Sequence, residues 1–358
     1  MMTPRKRVLT VLDGGVPDRV PKMANFYPEH IPELDHRGAE GDHFGTEIRF
    51  VEFSAPTTQK NFLDYLSDLP DDVYVGSSTI LRNYSDWGYF PHIEGHGRLS
   101  SATSSKALVA SLVESPLPAF STQQLGSLEQ QVSEIHSRGL AAMGTPPHLG
   151  GELFETAWRL RGWMQFMVDL KINPEIAHTL LDQIMMMAVT TAMVLVRAGV
   201  DILGLDDDVG SPTHMLISPE TWRVFLKPRL ATIIDAARAI NPQVKVFYHS
   251  DGYIEPIIPE LIEIGVDVLH PVQPDVMDPV RLKRLFGDQL AFWGTVGTQV
   301  LWGEPNPTRI REEVRERIRT VGKNGGLIIG PAYDLEPAIP WVNIESFFNA
   351  IDEFGTYH

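Results

Sequence analysis

The second half of the chain alternates short apolar runs with longer stretches of helical periodicity. The runs stand at residues 200–205, 244–248, 266–269, 290–293 and 327–329. Short, mostly apolar runs separated by helix-length connections are typical of buried parallel strands. A similar run at 140–144 extends the series, so the pattern predicts repeated βα units over residues 139–358.

Helix-start signals lie between these runs. Ser218-Pro219-Glu220 has the order of an N-cap residue, a proline at the first helical position and an acid in the first turn. Asn173-Pro174 and Asn306-Pro307 begin two further predicted helices in the same way. The apolar run at 184–196 is shorter than the roughly 20 residues that span a bilayer, which predicts a buried helix.

Periodicity is weaker over residues 1–138. Residues 20–26 predict a first strand, and the rest of this part predicts long loops with short strands near 50–53 and 73–75. A helix is predicted at 125–138. The sequence has no internal repeat and no low-complexity linker, so we expect one domain over residues 1–358.

The alternation of strands and helices fits a doubly wound sheet or a (β/α)8 barrel. Polar clusters follow the predicted strands at their carboxyl ends, where barrel enzymes build their sites. The dinucleotide fingerprint G-x-G-x-x-G is absent. The sequence therefore predicts an α/β fold, a (β/α)8 TIM barrel with long N-terminal loops.

Charge and composition narrow the function classes. The 358 residues include 30 Lys and Arg against 46 Asp and Glu, a net charge of −16. This balance argues against nucleic acid and anionic membranes as partners. The chain has no Cys, which excludes thiolate metal sites and cysteine nucleophiles. Its start lacks the pattern of a signal peptide, so we expect a cytoplasmic protein.

Two polar clusters carry the strongest chemical signal. Asp206, Asp207 and Asp208 follow one predicted strand, and crowded carboxylates favour a raised pKa or a bound cation. His249-Ser250-Asp251-Gly252 follows the next, and its imidazole and carboxylate suit proton transfer, substrate binding or metal ligation. We predict Asp207, His249 and Asp251 as catalytic residues and Asp206 as substrate-binding. The alternatives are a solvated loop with a capping Asp, and Asp251 as the N-cap of the next helix.

Other polar and aromatic side chains are candidates for the substrate site. The prediction covers Asn25, His148, Glu155, His270, Gln273, Trp293 and Tyr333. For Trp293, packing in the core is an equal alternative.

Together these motifs resemble the uroporphyrinogen decarboxylase (URO-D) superfamily, which also contains cobalamin-dependent methyltransferases. The resemblance rests on Asp206 to Ser211, on His249 to Gly252 and on His270-Pro271-Val272-Gln273-Pro274. It implies a barrel whose site lies at its carboxyl-terminal mouth. True decarboxylases of the family carry an early Arg-Gln-Ala-Gly-Arg segment, whereas residues 22–27 here contain no arginine. The chain resembles the methyltransferase branch more closely.

The coenzyme M methyltransferases of this superfamily bind zinc through His-x-Cys and a later Cys. His249 matches the family's histidine, Asp251 stands at the first cysteine position and Tyr333 approximately at the second. The resemblance thus implies a Zn2+ site without thiolate ligands, held by His249 and Asp251 with help from Glu155 or Asp207. It also implies a corrinoid protein as the partner and allows a homodimer.

Three hypotheses follow. The first is a methyltransferase that moves a methyl group from a small O- or N-methylated substrate to a corrinoid protein. The second is a decarboxylase of a carboxylic acid that uses no corrinoid and has an arginine in its pocket, either Arg159 or Arg161. The third is a non-catalytic binding protein on the same barrel.

Overall fold

A parallel β-sheet forms the centre of the molecule. The computed structural model describes residues 1–26, 40–53, 73–74, 82–83, 99, 101–114, 117, 124–148, 150–301, 303–335 and 338–357. In this part of the chain, seven parallel strands pair in the order β1-β4-β5-β6-β7-β8-β9. These strands are β1 Ile48–Val51, β4 Ala141–Gly144, β5 Ile202–Asp206, β6 Lys245–His249, β7 Val268–His270, β8 Ala291–Val296 and β9 Leu327–Pro331. A separate antiparallel pair is formed by β2 Val73–Tyr74 and β3 Arg82–Asn83.

Helices follow the strands and cover the sheet. They are α1 Pro4–Leu12, α2 Glu40–Phe44, α3 Ser105–Glu114, α4 Leu125–Ser137, α5 Phe154–Arg161, α6 Trp163–Ile172, α7 Pro174–Ala198, α8 Pro219–Phe225, α9 Lys227–Ile240, α10 Ile258–Glu263, α11 Pro279–Phe286, α12 Thr298–Leu301, α13 Pro307–Thr320 and α14 Trp341–Phe354. The Ser218 hydroxyl accepts from the Thr221 N–H at 3.2 Å, which confirms the predicted cap of α8.

The sheet is curled around an apolar interior. One buried cluster takes a side chain from each of the seven strands. Its strand members are Ile48, Ala141, Met143, Ile202, Phe247, Val268, Ala291, Trp293 and Ile328. Val8, Val11 and Leu12 of α1 join the same cluster, so α1 packs against the interior of the sheet.

The strand predicted at 20–26 is present only as an irregular extended segment. Lys22 makes an isolated parallel bridge to Ile329, and the N–H of Glu47 donates to the Lys22 carbonyl at 3.1 Å. The segment therefore lies between β9 and the residue preceding β1. Pro21 has no N–H to donate, which interrupts a regular ladder. The described residues thus give an α/β sheet of seven strands, where eight were predicted.

One further expectation was wrong, and another was confirmed. Residues 105–114, placed among the predicted loops, form α3, whose Leu108 and Leu112 are buried one turn apart. The apolar run at 184–196 belongs to α7, whose 25 residues are long and apolar enough to cross a membrane by length and composition. Half of its most apolar window is buried in the protein, which is typical of a core helix.

Candidate functional site

Three ionisable side chains stand side by side at the carboxyl ends of neighbouring strands. Asp206 is the register partner of His249, and His249 is the register partner of His270. Asp206 lies four positions after Ile202, an interior residue of β5. His249 and His270 each lie two positions after an interior residue of their strand, Phe247 and Val268. Because side chains alternate along a strand, all three face the interior side of the sheet.

The His249 ring is held between a second histidine and two carboxylates. Its Nδ1 lies 2.7 Å from Nδ1 of His270, a hydrogen bond that requires one proton between the two rings. Its Nε2 lies 3.9 Å from an oxygen of Asp206 and 3.6 Å from an oxygen of Asp208. We call Asp206, Asp208, His249 and His270 the mouth cluster. All four side chains are partly exposed.

Asp251 belongs to a tightly packed turn beside this cluster. Its N–H donates to Asp208 at 2.6 Å, and its carboxylate accepts from the Gln273 amide at 3.0 Å. Gly252, with φ of +80°, lies so close to Gly210 that a Cβ at either position would meet backbone within 2.6 Å. The glycine therefore allows the turn after β6 to pack against the turn after β5.

Asp207 points away from the mouth cluster. Its side chain is fully buried and accepts the N–H groups of Phe154 at 2.8 Å and Glu155 at 3.0 Å. The carboxylate therefore caps the N-terminus of α5, on the opposite side of β5 from Asp206. The structure does not bring Asp207 together with His249 and Asp251, and its catalytic role stays a prediction.

A buried acid that the sequence analysis missed lies behind Asp206. Glu152 donates its N–H to the Asp206 carbonyl at 2.7 Å, and the Asp206 N–H donates back to Glu152 Oε2. Glu152 Oε1 lies 4.0 Å from Nε2 of His148, which is also buried. The sequence signal for this loop was Gly150-Gly151, because a Cβ at Gly151 would collide with Asp207.

Glu155 and Arg159 form a buried ion pair one turn apart on α5. The Arg159 guanidinium donates to Glu155 at 2.9 Å, lies 4.4 Å from the centre of the Trp158 ring, and occupies the space that a side chain at Gly150 would need. Arg161 instead pairs with Asp169 at 2.6 Å. Of the two arginines named for the decarboxylase hypothesis, Arg159 therefore lies beside the site.

The remaining predicted residues occupy three different places. Trp293 is buried beneath the histidines, with its ring centre 5.8 Å from that of His270. Tyr333 is partly exposed just beyond the end of β9. Asn25 is exposed, and its carbonyl accepts the N–H of Leu335 at 2.8 Å.

Burial and crowding shift the protonation of these groups. Burial and the neighbouring Asp208 raise the pKa of Asp251 to about 8 and that of Asp206 well above its ordinary value. Burial raises the pKa of Glu155 to about 7, although Arg159 acts against it. Burial and the nearby His249 hold the pKa of His270 well below its ordinary value. The site therefore disfavours additional negative charge and favours a neutral His270.

Comparison with known proteins identifies the family. Residues 154–354, more than half of the chain, match the family model of uroporphyrinogen decarboxylase (URO-D). The chain belongs to the URO-D family, as its motifs predicted.

Two curated relatives represent the two branches. A methylcobamide:CoM methyltransferase of Methanosarcina barkeri is 26% identical over 168 residues, 47% of this chain and 46% of the relative. A uroporphyrinogen decarboxylase of Coxiella burnetii is 22% identical over 189 residues, 51% of this chain and 49% of the relative. The chain therefore spans about half the length of the curated relatives it matches. A solved methyltransferase from Methanosarcina mazei shares the fold over 99% of both chains, with a TM-score of 0.65 and 20% identity.

Proposed function

We propose that this protein transfers a methyl group from a small O- or N-methylated substrate to the cobalt of a separate corrinoid protein. The observation that carries the proposal is the mouth cluster, in which carboxylate and imidazole groups surround His249, the residue that matches the zinc-binding histidine of the resemblance. Without a thiolate, such a site suits stabilisation of a leaving oxygen or nitrogen better than activation of a thiol. The methylcobamide methyltransferase relative supports chemistry at a corrinoid methyl group.

The mouth cluster also fits a divalent cation. One ligand atom from each of Asp206, Asp208 and His249 lies within 4.8 Å of the others. Nitrogen and oxygen donors suit Zn2+ and similar ions, and His270 provides a hydrogen-bond partner for the other nitrogen of His249. When bound, such an ion would act as a Lewis acid toward the leaving atom. This donor set differs from the predicted pair of His249 and Asp251, because the Asp251 carboxylate is bonded to Gln273.

We further propose that residues 20–26 complete the sheet as the eighth member of a barrel. The bridge from Lys22 to Ile329 and the bond from Glu47 to Lys22 support this closure. A closed barrel would present the mouth cluster at one open end, where a corrinoid protein can approach. A cytoplasmic location and a homodimer stay predictions.

A decarboxylase is the second candidate, and Arg159 is the observation that favours it. A buried guanidinium beside the site is suited to hold a carboxylate. The third hypothesis, a non-catalytic binding protein, expects Asp206, Asp207 and Asp251 to be solvated and dispersed. Asp207 does lie apart from the other two, but it is buried at the start of α5, and Asp206 lies beside Asp208 and His249.

The test supplies the purified protein with cob(I)alamin and a panel of methoxy and methylamino compounds. Formation of methylcobalamin, followed by its absorption spectrum, is the expected result, and metal analysis of the protein accompanies it. His249→Ala should abolish transfer, whereas His136→Ala is the matched control, because His136 pairs with Asp201 at the opposite edge of the sheet. Release of carbon dioxide from a carboxylic acid without cobalamin would instead establish the decarboxylase.

A further inference from the structure

Trp293 carries a hydrogen-bond donor that no group in the described part of the chain accepts. Its side chain belongs to the apolar interior of the sheet and is 5% exposed. The indole Nε1 has no partner among the described residues, yet it is not fully enclosed, as Nε1 of Trp222 is. An indole N–H can only donate, and buried indoles usually find a partner. The nitrogen of Trp293 is therefore accessible to a bound molecule.

The register of β8 and β9 places this nitrogen on the mouth side of the Trp293 ring. Trp293 pairs with Ile328, whereas Nε1 lies beside Gly330, two residues nearer the carboxyl end of β9. A Cβ at Gly330 would lie 3.5 Å from Nε1, and glycine has none. The N–H edge of the indole thus lies one residue pair nearer the carboxyl edge of the sheet than the Cα of Trp293.

Two neighbouring rings hold the indole in this orientation. The ring of Phe247 meets it edge to face with centres 4.9 Å apart, and the ring of His270 does so at 5.8 Å. Such perpendicular pairs are favourable, so together they restrict rotation of the indole. Phe247 and Trp293 both belong to the buried interior cluster, which fixes the donor before any substrate binds.

The donor lies across His270 from the proposed site of methyl transfer. His249, His270 and Trp293 stand on the consecutive strands β6, β7 and β8. The His270 ring centre is 4.9 Å from that of His249 and 5.8 Å from that of Trp293. Two strand spacings, about 10 Å, separate β6 from β8. The substrate atom at His249 and the atom that accepts the Trp293 N–H are therefore different atoms.

We propose that the Trp293 N–H binds a hydrogen-bond acceptor of the methyl donor on the side away from its methylated atom. The inference rests on the proposed methyl transfer and narrows its substrate class. The methyl donor carries a second acceptor, such as a carbonyl oxygen, about one aromatic ring away from the methylated oxygen or nitrogen. Trp293 selects such donors over equally large ones that are apolar at this position, because they leave the N–H unpaired.

The first experiment observes the N–H directly and needs no turnover. Protein labelled with 15N in its seven indoles is titrated with meta- or para-methoxyacetophenone, and with the corresponding ethyl compounds, which lack the carbonyl. The Trp293 signal is assigned by its absence from Trp293→Phe. We expect a downfield proton shift of this signal with an acetyl compound only, and no shift of the Trp222 signal. A Trp293 signal that stays in place with both acetyl compounds would overturn the proposal.

The second experiment measures methyl transfer from the same compounds to cob(I)alamin. Trp293→Phe keeps an aromatic ring and removes the N–H, so kcat/KM should fall about fivefold for the acetyl donors, the value of one hydrogen bond, and little for the ethyl donors. Trp222→Phe removes an indole N–H of α8, on the helix side of the sheet, and should keep the wild-type preference. Equal losses for both kinds of donor in Trp293→Phe would contradict the role of the N–H.

Failure of this proposal is distinguishable from failure of the proposed function. If no donor yields methylcobalamin but the Trp293 signal shifts with the acetyl compounds alone, the methyl transfer is refuted and the acceptor site stands. If methyl transfer occurs without the shift and without the preference, the methyl transfer stands and the role of Trp293 is refuted.

Discussion

Glu47 offers a quantitative test of how the end of the sheet opposite the mouth cluster is held together. Arg7 of α1 donates to Glu47 Oε1 at 2.9 Å, and Glu47 Oε2 is buried without a hydrogen-bond partner among the described residues. Burial raises the pKa of Glu47 from 4.5 to about 7, although Arg7 acts against it. A native carboxyl with a raised pKa binds its proton more tightly than the unfolded chain does. The stabilisation is therefore complete below pH 4.5 and is lost as the pH rises through 7.

The perturbation is Glu47→Gln, which removes the ionisable group and keeps its size. One pKa unit corresponds to about 1.4 kcal/mol, so ionisation of Glu47 should lower the unfolding free energy of the wild-type protein by about 2 to 3 kcal/mol as the pH rises from 5 to 8. The glutamine of the variant does not ionise, so the variant does not lose this unfolding free energy. Its stability relative to the wild-type protein should therefore rise by about 2 to 3 kcal/mol over the same interval.

Guanidinium chloride unfolding at pH 5 and pH 8, followed by tryptophan fluorescence, measures this difference. Other titrating groups act equally in both proteins and cancel. Glu129→Gln on the exposed side of α4 is the matched control for replacing a carboxylate by an amide. A difference between Glu47→Gln and wild type that is constant with pH, or that shifts in favour of wild type, would refute the reasoning.

Two further predictions concern α5. Asp207→Ala leaves the N–H groups of Phe154 and Glu155 without acceptors, so it should lower the unfolding free energy by about 2 kcal/mol. Asp207→Asn should lower it by less. An unchanged denaturation midpoint for Asp207→Ala would contradict the capping role. Arg159→Met removes the ion-pair partner of buried Glu155 and should push the pKa of that carboxyl above 7. The unfolding free energy of Arg159→Met should fall below that of the wild-type protein by about 3 kcal/mol at pH 9 and by little at pH 6, and adding Glu155→Gln should restore it. Equal losses at both pH values in the same unfolding assay would argue against the role of the ion pair.

The sequence by itself determined the order of the strands and the edge on which the site lies. Short apolar runs ending in Asp206, His249 and His270 are local features, and parallel strands place their carboxyl ends at one edge. The N-cap at Ser218 could also be predicted from the sequence, because capping involves only residues three positions apart.

Only the tertiary structure decided which of these side chains meet. Asp206, Asp207 and Asp208 are chemically identical in the sequence, and the register of β5 beside β6 turns Asp206 toward the mouth cluster and Asp207 toward α5. A shift of one residue exchanges the two faces of a strand, and the partners that set this register are distant in the chain. The bond between His249 and His270, and the placement of Glu152 behind Asp206, likewise join residues 21 and 54 positions apart. No local pattern encodes such contacts, because they form only when separate βα units pack together.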